Sequence, residues 1–233
     1  MVEIRSVLIG VAVLLTIYLV YTYFFAKSTT KLVDIHNAQS SKMIDANQLS
    51  KGSNNDYMFS IWFYVNDWNY RYGEAKTIFE RKDDHNEPSP TMEFASGINN
   101  LHIHVNCFVE GDSKQTKVHT CTVQNVPLQT WTNVIMTIHN RALDVYLDGK
   151  LVRTCILPGN PTSSSKNIAL TPAGGFAGYT SNFEYKENSI NPREAYNIYK
   201  NGYGGGGIGA FFNKYRLKFA FMEDNKEINS LEI

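Results

Sequence analysis

From Val7 to Phe25 the chain carries no charged residue and is dominated by Val, Leu, Ile, Tyr and Phe. No other feature restricts the fold so strongly. An apolar run of about 19 residues makes roughly 28 Å of helix, close to the roughly 30 Å hydrocarbon thickness of a bilayer. Tyr18, Tyr21, Tyr23, Phe24 and Phe25 crowd its C-terminal end, where an aromatic belt meets the headgroups, and Lys27 follows. The run predicts one transmembrane α-helix, with residues 1–27 as an anchor whose lipid-facing and interfacial positions include Val7, Leu14, Tyr18, Tyr21, Tyr23, Phe24, Phe25 and Lys27. A cleaved signal peptide is the competing reading, but its apolar core would be shorter, and small residues rather than Tyr23-Phe24-Phe25 would precede the cut. A buried core helix is disfavoured by the same length and flanks.

The rest of the 233-residue chain is enough for one domain of about 180 residues with a single core. Lys+Arg and Asp+Glu both number 22, so there is no basic surplus to neutralise a phosphate backbone, and nucleic acid is not an expected partner. Lys27, Lys31 and Lys42 on the C-terminal flank outweigh Arg5 on the other, which favours a cytosolic C-terminal domain. No Asn-x-Ser/Thr sequon occurs apart from Asn160-Pro161-Thr162, which the proline disables; this leans the same way. Cys107, Cys121 and Cys155 make no paired framework: Cys107 and Cys121 could meet across a hairpin, but buried free thiols are the simpler expectation.

Residues 28–55 are rich in Ser, Thr, Asn, Gln and Lys and read as a polar stalk that partly packs on the domain and supplies a first strand. Residues 56–233 alternate short β-rich runs with turn signals. Tyr57–Val65 is apolar enough for a strand buried on both faces, while Leu101–Phe108 alternates His102, His104 and Asn106 against Ile103, Val105 and Cys107. Lys76–Arg81, Thr91–Ala95, Val118–Val123, Trp131–His139, Ile168–Leu170, Phe176–Tyr185 and Tyr215–Met222 are further strands. Asp148-Gly149 closes a two-residue hairpin between Leu143–Leu147 and Lys150–Ile156. Asn191 caps a short helix that starts at Pro192 and ends before Gly202. Gly204–Gly207 lacks the Lys-Ser/Thr of a phosphate loop, and the residues from Glu223 onward read as a charged tail.

Three segments in this order, YMFSIWFYVNDW (57–68), WTNVIMTIHNRALDVYLDGKLVRT (131–154) and GGFAGYTSNFEYKENSINPREAYNIYKNG (174–202), resemble the laminin-G-like, concanavalin A-like β-sandwich family. The resemblance implies an all-β fold, a two-sheet antiparallel jelly-roll sandwich, whose concave face or loop rim in relatives often binds glycans, proteins or calcium. The order of anchor, stalk and sandwich, with its NDWNYRYGE loop, further resembles membrane-anchored proteins of large nucleocytoplasmic DNA viruses.

Retaining glycoside hydrolysis requires two carboxylates about 5 Å apart, which that fold supplies as Glu-x-Asp-x-x-Glu on one strand. Glu93 stands alone and Glu223, Asp224 and Glu227 have the wrong spacing, so no catalytic set and no enzyme are expected. Trp68, Tyr70, Arg71 and Tyr72 form the candidate binding loop, an amphipathic mixture suited to sugar stacking or a protein hot spot; the alternative is that the rings cover the sandwich end. His102 and His104 have metal-compatible spacing but no third ligand, so no metal is expected. Asp83, Asp84 and Glu87 make calcium conceivable without a clear motif, and a solvated acidic turn is the simpler reading. No cofactor is expected. The function expected first is a minor virion protein linking an internal membrane to the capsid shell, its domain on the cytosolic, capsid-facing side. Its partners would be the lipid bilayer and capsid proteins. The alternative is a glycan-binding attachment lectin.

Overall fold

The computed structural model describes the backbone of residues 4–25, 29–49, 56–109, 112–204, 218–223 and 226–232, and the side chains of 9–19, 29–49, 56–109 and 115–204. It divides into two units, residues 1–30 and 31–233. The first holds helix α1 (Ile4–Phe25). Within it Leu14 and Tyr18 are exposed, and the Thr16 hydroxyl donates to Ala12 O at 2.8 Å, inside the helix. Among the described residues no helix is long and apolar enough to cross a membrane. The described side chains, 9–19, span only roughly 16 Å at 1.5 Å per residue. The anchor positions Val7, Tyr21, Tyr23, Phe24 and Phe25 have side chains outside the described residues, and Lys27 lies outside them altogether.

The second unit is a sandwich of two antiparallel sheets. The seven-stranded sheet runs β1 (Thr30–Val33), β13 (Ala177–Lys186), β4 (Tyr57–Asp67), β9 (Thr132–His139), β10 (Ala142–Leu147), β11 (Lys150–Ile156), with β2 (His36–Asn37) also on β13. The six-stranded sheet runs β3 (Lys42–Ile44), β12 (Ile168–Leu170), β5 (Lys76–Lys82), β6 (Pro88–Phe94), β7 (Leu101–Val109), β8 (Asp112–Val123).

Alternation decides what each sheet buries. On β4, Phe59, Ile61, Phe63 and Val65 point between the sheets and meet Phe79, Phe94 and Phe183 of the other strands. The rings of Phe59, Phe79 and Phe183 stand 5.1 to 5.8 Å apart, each removal from water contributing about 1.5–3 kcal/mol. The opposite side of β4 is also apolar because helix α2 (Pro192–Lys200) lies over it. Met58, Ile135 and Tyr146 form a second small core there with Ile190 and Ala195. Asn191 accepts from Glu194 N while the Glu194 carboxylate accepts from Asn191 N, a capping box that fixes where the helix begins. Tyr57–Val65 is thus covered on both faces, as its lack of polarity predicts. The β10–β11 hairpin turns at Asp148 and Gly149, both at positive φ (47° and 73°), the backbone an Asp-Gly pair accepts most readily.

Two segments differ from expectation. The region read as a stalk supplies β1, β2 and β3 to the two sheets and buries Val33, Ala38, Ile44 and Leu49, scattered apolar residues whose role only the facing strands reveal. The residues from Glu223 are not a tail: β14 (Lys218–Glu223) pairs with β15 (Lys226–Glu232) as a separate hairpin. The second strand is too polar to show alternation, and its ladder partner supplies the order that the sequence does not. Tyr215 and the glycines at 205–207 lie outside the described residues.

Candidate functional site

The loop between β4 and β5 carries the residues singled out from the sequence, and the structure divides them. Trp68 is half-buried at the sandwich end, edge-on to Phe94 at 5.6 Å. Its ring faces the Lys76 ammonium, whose Nζ stands 4.6 Å from the ring centroid. Lys76 is fully buried and donates to Arg71 O at 3.0 Å, and burial pushes its amine below the usual lysine value. Arg71 takes a positive φ of 52°, donates from Nε and Nη2 to Glu74 Oε2 (3.0 and 2.6 Å) and from Nη1 to Gly175 O (3.2 Å). Trp68 and Arg71 therefore build the loop. Tyr72 is 66% exposed and Tyr70 is half-buried.

A second polar surface is the outer face of the six-stranded sheet. Ladder register places Met43, Ala169, Glu80, Thr91, His104 and Thr120 in one row across all six strands. The adjoining row is Thr77, Glu93, His102 and Thr122. Core residues on either side, Met92, Phe94, Ile103 and Val105, are fully buried, so period-two geometry turns these rows outward.

Glu93 sits at the centre of the two rows. His104 Nε2 lies 3.4 Å from its Oε1, Thr77 Oγ1 donates to Oε2 at 3.3 Å, and His104 Nδ1 shares a 2.9 Å hydrogen bond with Thr120 Oγ1. The His104 hydrogen bond, against the opposing effect of burial, holds the Glu93 carboxyl below its usual value. Burial and the neighbouring His104 push His102 below the usual imidazole value, which keeps it neutral at neutral pH. Thr91 Oγ1 and Asn106 Oδ1, the latter two residues along β7 from His104, are buried without a hydrogen-bond partner among the described residues. A buried hydroxyl or amide oxygen without a partner is costly.

At the β3–β12–β5 side the face opens into a groove of about 430 Å³ lined by Met43, Glu80, Lys82, Asn86, Lys166 and Asn167, among others. It offers amide and ammonium donors around an exposed methionine. It was not legible from sequence, because its lining comes from separate segments of the chain. His102 and His104 were legible as one face of an alternating strand, whereas Glu93 stood alone in sequence and only the ladder register sets it beside them.

The acidic turn has a structural task. Asp83 is fully buried; Oδ1 accepts from His85 N and Glu87 N (both 2.9 Å) and Oδ2 from Asn106 Nδ2 (2.8 Å). Asp84 Oδ1 accepts from Ser165 N and Oγ. These carboxylates are spent on the turn, and no cluster of three metal-ligating side chains occurs among the described residues. Cys107 is the buried free thiol that the sequence reading expected, but Cys121 of β8 and Cys155 of β11 depart from it: they are bonded to each other, tying the two sheets together. Cys107 lies opposite Lys117, so it cannot face Cys121 across that hairpin. No second carboxylate stands opposite Glu93, whose ladder partners are Thr77 and His102.

A family model described as the concanavalin A-like lectin/glucanases superfamily matches residues 37–184. No curated protein matches the sequence. Among solved structures, the ligand-binding domain of botulinum neurotoxin serotype D, in complex with N-acetylneuraminic acid, is 11% identical at a TM-score of 0.58. The match covers 76% of this chain and 46% of that one. The serotype D binding domain matches at 11% identity and TM-score 0.57 over 74% of this chain and 46% of that chain. The receptor-binding domain of the C/D mosaic serotype matches at 11% and 0.57, covering 76% and 46%. The aligned region is thus less than half of each toxin domain, and at this identity the likeness establishes the fold alone. None of these comparisons bears on a virion.

Proposed function

We propose, on the premise that this chain belongs to the concanavalin A-like lectin/glucanases superfamily, that it is a non-enzymatic glycan-binding module. The observation that carries the reading is the outer face of the six-stranded sheet, where Glu80, Thr91, Glu93, His102, His104 and Thr120 form a part-exposed hydrogen-bonding surface running into the groove beside β12. Hydroxyl-rich ligands need alternating donors and acceptors, which the part-exposed Glu80, Glu93, His102 and His104 and the exposed Thr120 supply. Tyr72 and Tyr70 at the sandwich rim add faces for stacking. Hydrolysis is not part of the proposal, because Glu93 has no opposing carboxylate in register. That solved toxin domains of this fold include one bound to N-acetylneuraminic acid supports a sugar as the ligand class.

The module is held at a membrane by the charge-free stretch from Val7 to Phe25. The helical backbone of Ile4–Phe25 and the internally satisfied Thr16 hydroxyl support this part of the reading. For the side of the membrane, the Cys121–Cys155 bond outweighs the lysine count and the missing sequons. Disulfides persist in oxidising compartments, and this supports a domain on the non-cytosolic side. A membrane-to-shell linker on the cytosolic side draws no comparable support.

The test is a glycan array probed with the full-length chain in detergent. Binding that is lost in Glu93→Gln and His104→Ala, but kept in a β11 surface variant such as Thr154→Ala, supports the reading. Absence of any glycan binding, or binding indifferent to both substitutions, overturns it.

A further inference from the structure

We infer that the free edge of β11 is a docking site for an extended, acidic strand of a partner protein. β11 ends the seven-stranded sheet, and among the described residues no strand pairs with its outer side. Such an edge presents a row of backbone N–H and C=O groups ready to accept another strand. The other ends of the two sheets are shorter or more polar. β1 and β3 are four and three residues long, and β8 is a run of Asp, Ser, Lys, Gln, Thr and His with few apolar side chains.

β11 instead exposes Leu151 (49%), Val152 (44%) and Ile156 (66%), three large apolar side chains on one seven-residue strand. Leu151 and Ile156 lie opposite Tyr146 and Ala142 of β10. Val152 is the extra residue of a bulge between Val145 and Tyr146. Sheet edges left to solvent are normally blunted by charge, shortness or proline, so apolar exposure of this extent marks a surface that is covered in use.

Charge selects the occupant. Lys150 and Arg153 are the only charged residues of the strand; both are exposed, and neither meets a carboxylate among the described residues. A second copy paired antiparallel along this edge would bring four cations together, which disfavours self-association. The bulge at Val152 sets Lys150 and Arg153 on one face, opposite Leu147 and Val145, so a strand with acidic residues two apart and β-branched residues between and beside them would meet both cations with opposite charge while covering the exposed apolar side chains. The edge is also held ready: Cys155 is tied to Cys121 of β8, and Thr154 Oγ1 donates to Asp144 Oδ1 at 2.5 Å. Less ordering is then lost on binding than for a fraying edge.

The probe is the peptide acetyl-Thr-Val-Glu-Val-Glu-Val-Thr-amide, labelled for fluorescence anisotropy against the full-length chain in detergent. A lysine-for-glutamate version and a backbone N-methylated version serve as controls. The expected result is saturable binding of the acidic peptide only. N-methylation should abolish it, and Lys150→Glu/Arg153→Glu should weaken it at least about tenfold while admitting the lysine peptide. Both residues are exposed, so the double variant should keep the wild-type melting temperature. No binding, equal binding of both peptides, or indifference to charge reversal overturns the inference. So does a concentration-dependent dimer that Arg153→Glu disperses, because a second copy is then the occupant.

Discussion

Opening the Cys121–Cys155 bond tests the tertiary arrangement most directly, since this bond joins the edge of one sheet to the edge of the other. The two cysteines are 34 residues apart in sequence. In the chain-entropy treatment a loop of that size restricts the unfolded ensemble by about 4 kcal/mol at 25 °C. For a unit of about 200 residues, unfolding entropy of about 2.1 cal/mol/K per residue converts this to a fall of about 9 °C in melting temperature. Urea unfolding of Cys121→Ala/Cys155→Ala, set beside the wild type with and without dithiothreitol, measures it. The reduced wild type and the double variant should shift together. Cys107 supplies an internal standard: burial pushes its thiol up to about 11, so it stays protonated and unreactive in the native state. After denaturation without reductant, maleimide should label one thiol per chain, and three after reduction. A stability loss under about 1 kcal/mol, or two reactive native thiols, refutes the pairing and with it the placement of the domain on an oxidising side.

Asp83→Ala removes three hydrogen bonds to a buried carboxylate and orphans Asn106 Nδ2, and should cost about 3–4 kcal/mol in urea unfolding. Trp68→Ala should destabilise by about 3 kcal/mol because it empties the packing between Phe94 and Lys76, whereas Tyr72→Ala should leave the melting temperature unchanged and alter only ligand binding. A Cβ at Gly178 would stand 1.9 Å from Tyr64 O on a backbone at φ 154°, so Gly178→Ala should cost about 3 kcal/mol or more and separate β13 from β4. On acidification, the unfolded chain takes up protons that the folded one refuses at His102 and Glu93. Stability should therefore begin to fall below pH 6.5, the ordinary value of His102, and fall further below 4.5 as Glu93 is driven through its lower folded value. His102→Phe should remove the first step and Glu93→Gln should shrink the second, which Glu93 shares with Asp83, Asp84 and Glu194, read from urea midpoints across pH 7 to 3.5.

The strands were legible wherever one chemical rule dominated. Leu101–Phe108 alternates because one side meets the core and the other the outer face. Asp148-Gly149 announces its hairpin because so few residue pairs accept positive φ twice in succession. The capping box at Asn191 and Glu194 is likewise a local device, complete within four residues. Residues 31–49 were harder, since β1 and β3 carry only one or two buried side chains each and gain their order from β13 and β12, well over a hundred residues away. The candidate site was half visible. Trp68, Tyr70, Arg71 and Tyr72 share a loop, as adjacency in sequence requires, yet Trp68 and Arg71 are consumed in building it. Thr77, Thr91, Glu93 and His104 come from three strands, and only the ladder register sets them beside one another.

What the residues determined by themselves is the apolar N-terminal stretch, the all-β character of the rest and the position of its turns, because hydrophobic period and backbone preference act over a few neighbours. The structure alone decided which strands share a sheet, which cysteines bond, which polar side chains converge on the outer face and which edge stays open. Those outcomes rest on contacts between segments distant along the chain. There the free energy of burial and hydrogen bonding is a property of two surfaces at once, and no single stretch of sequence contains it.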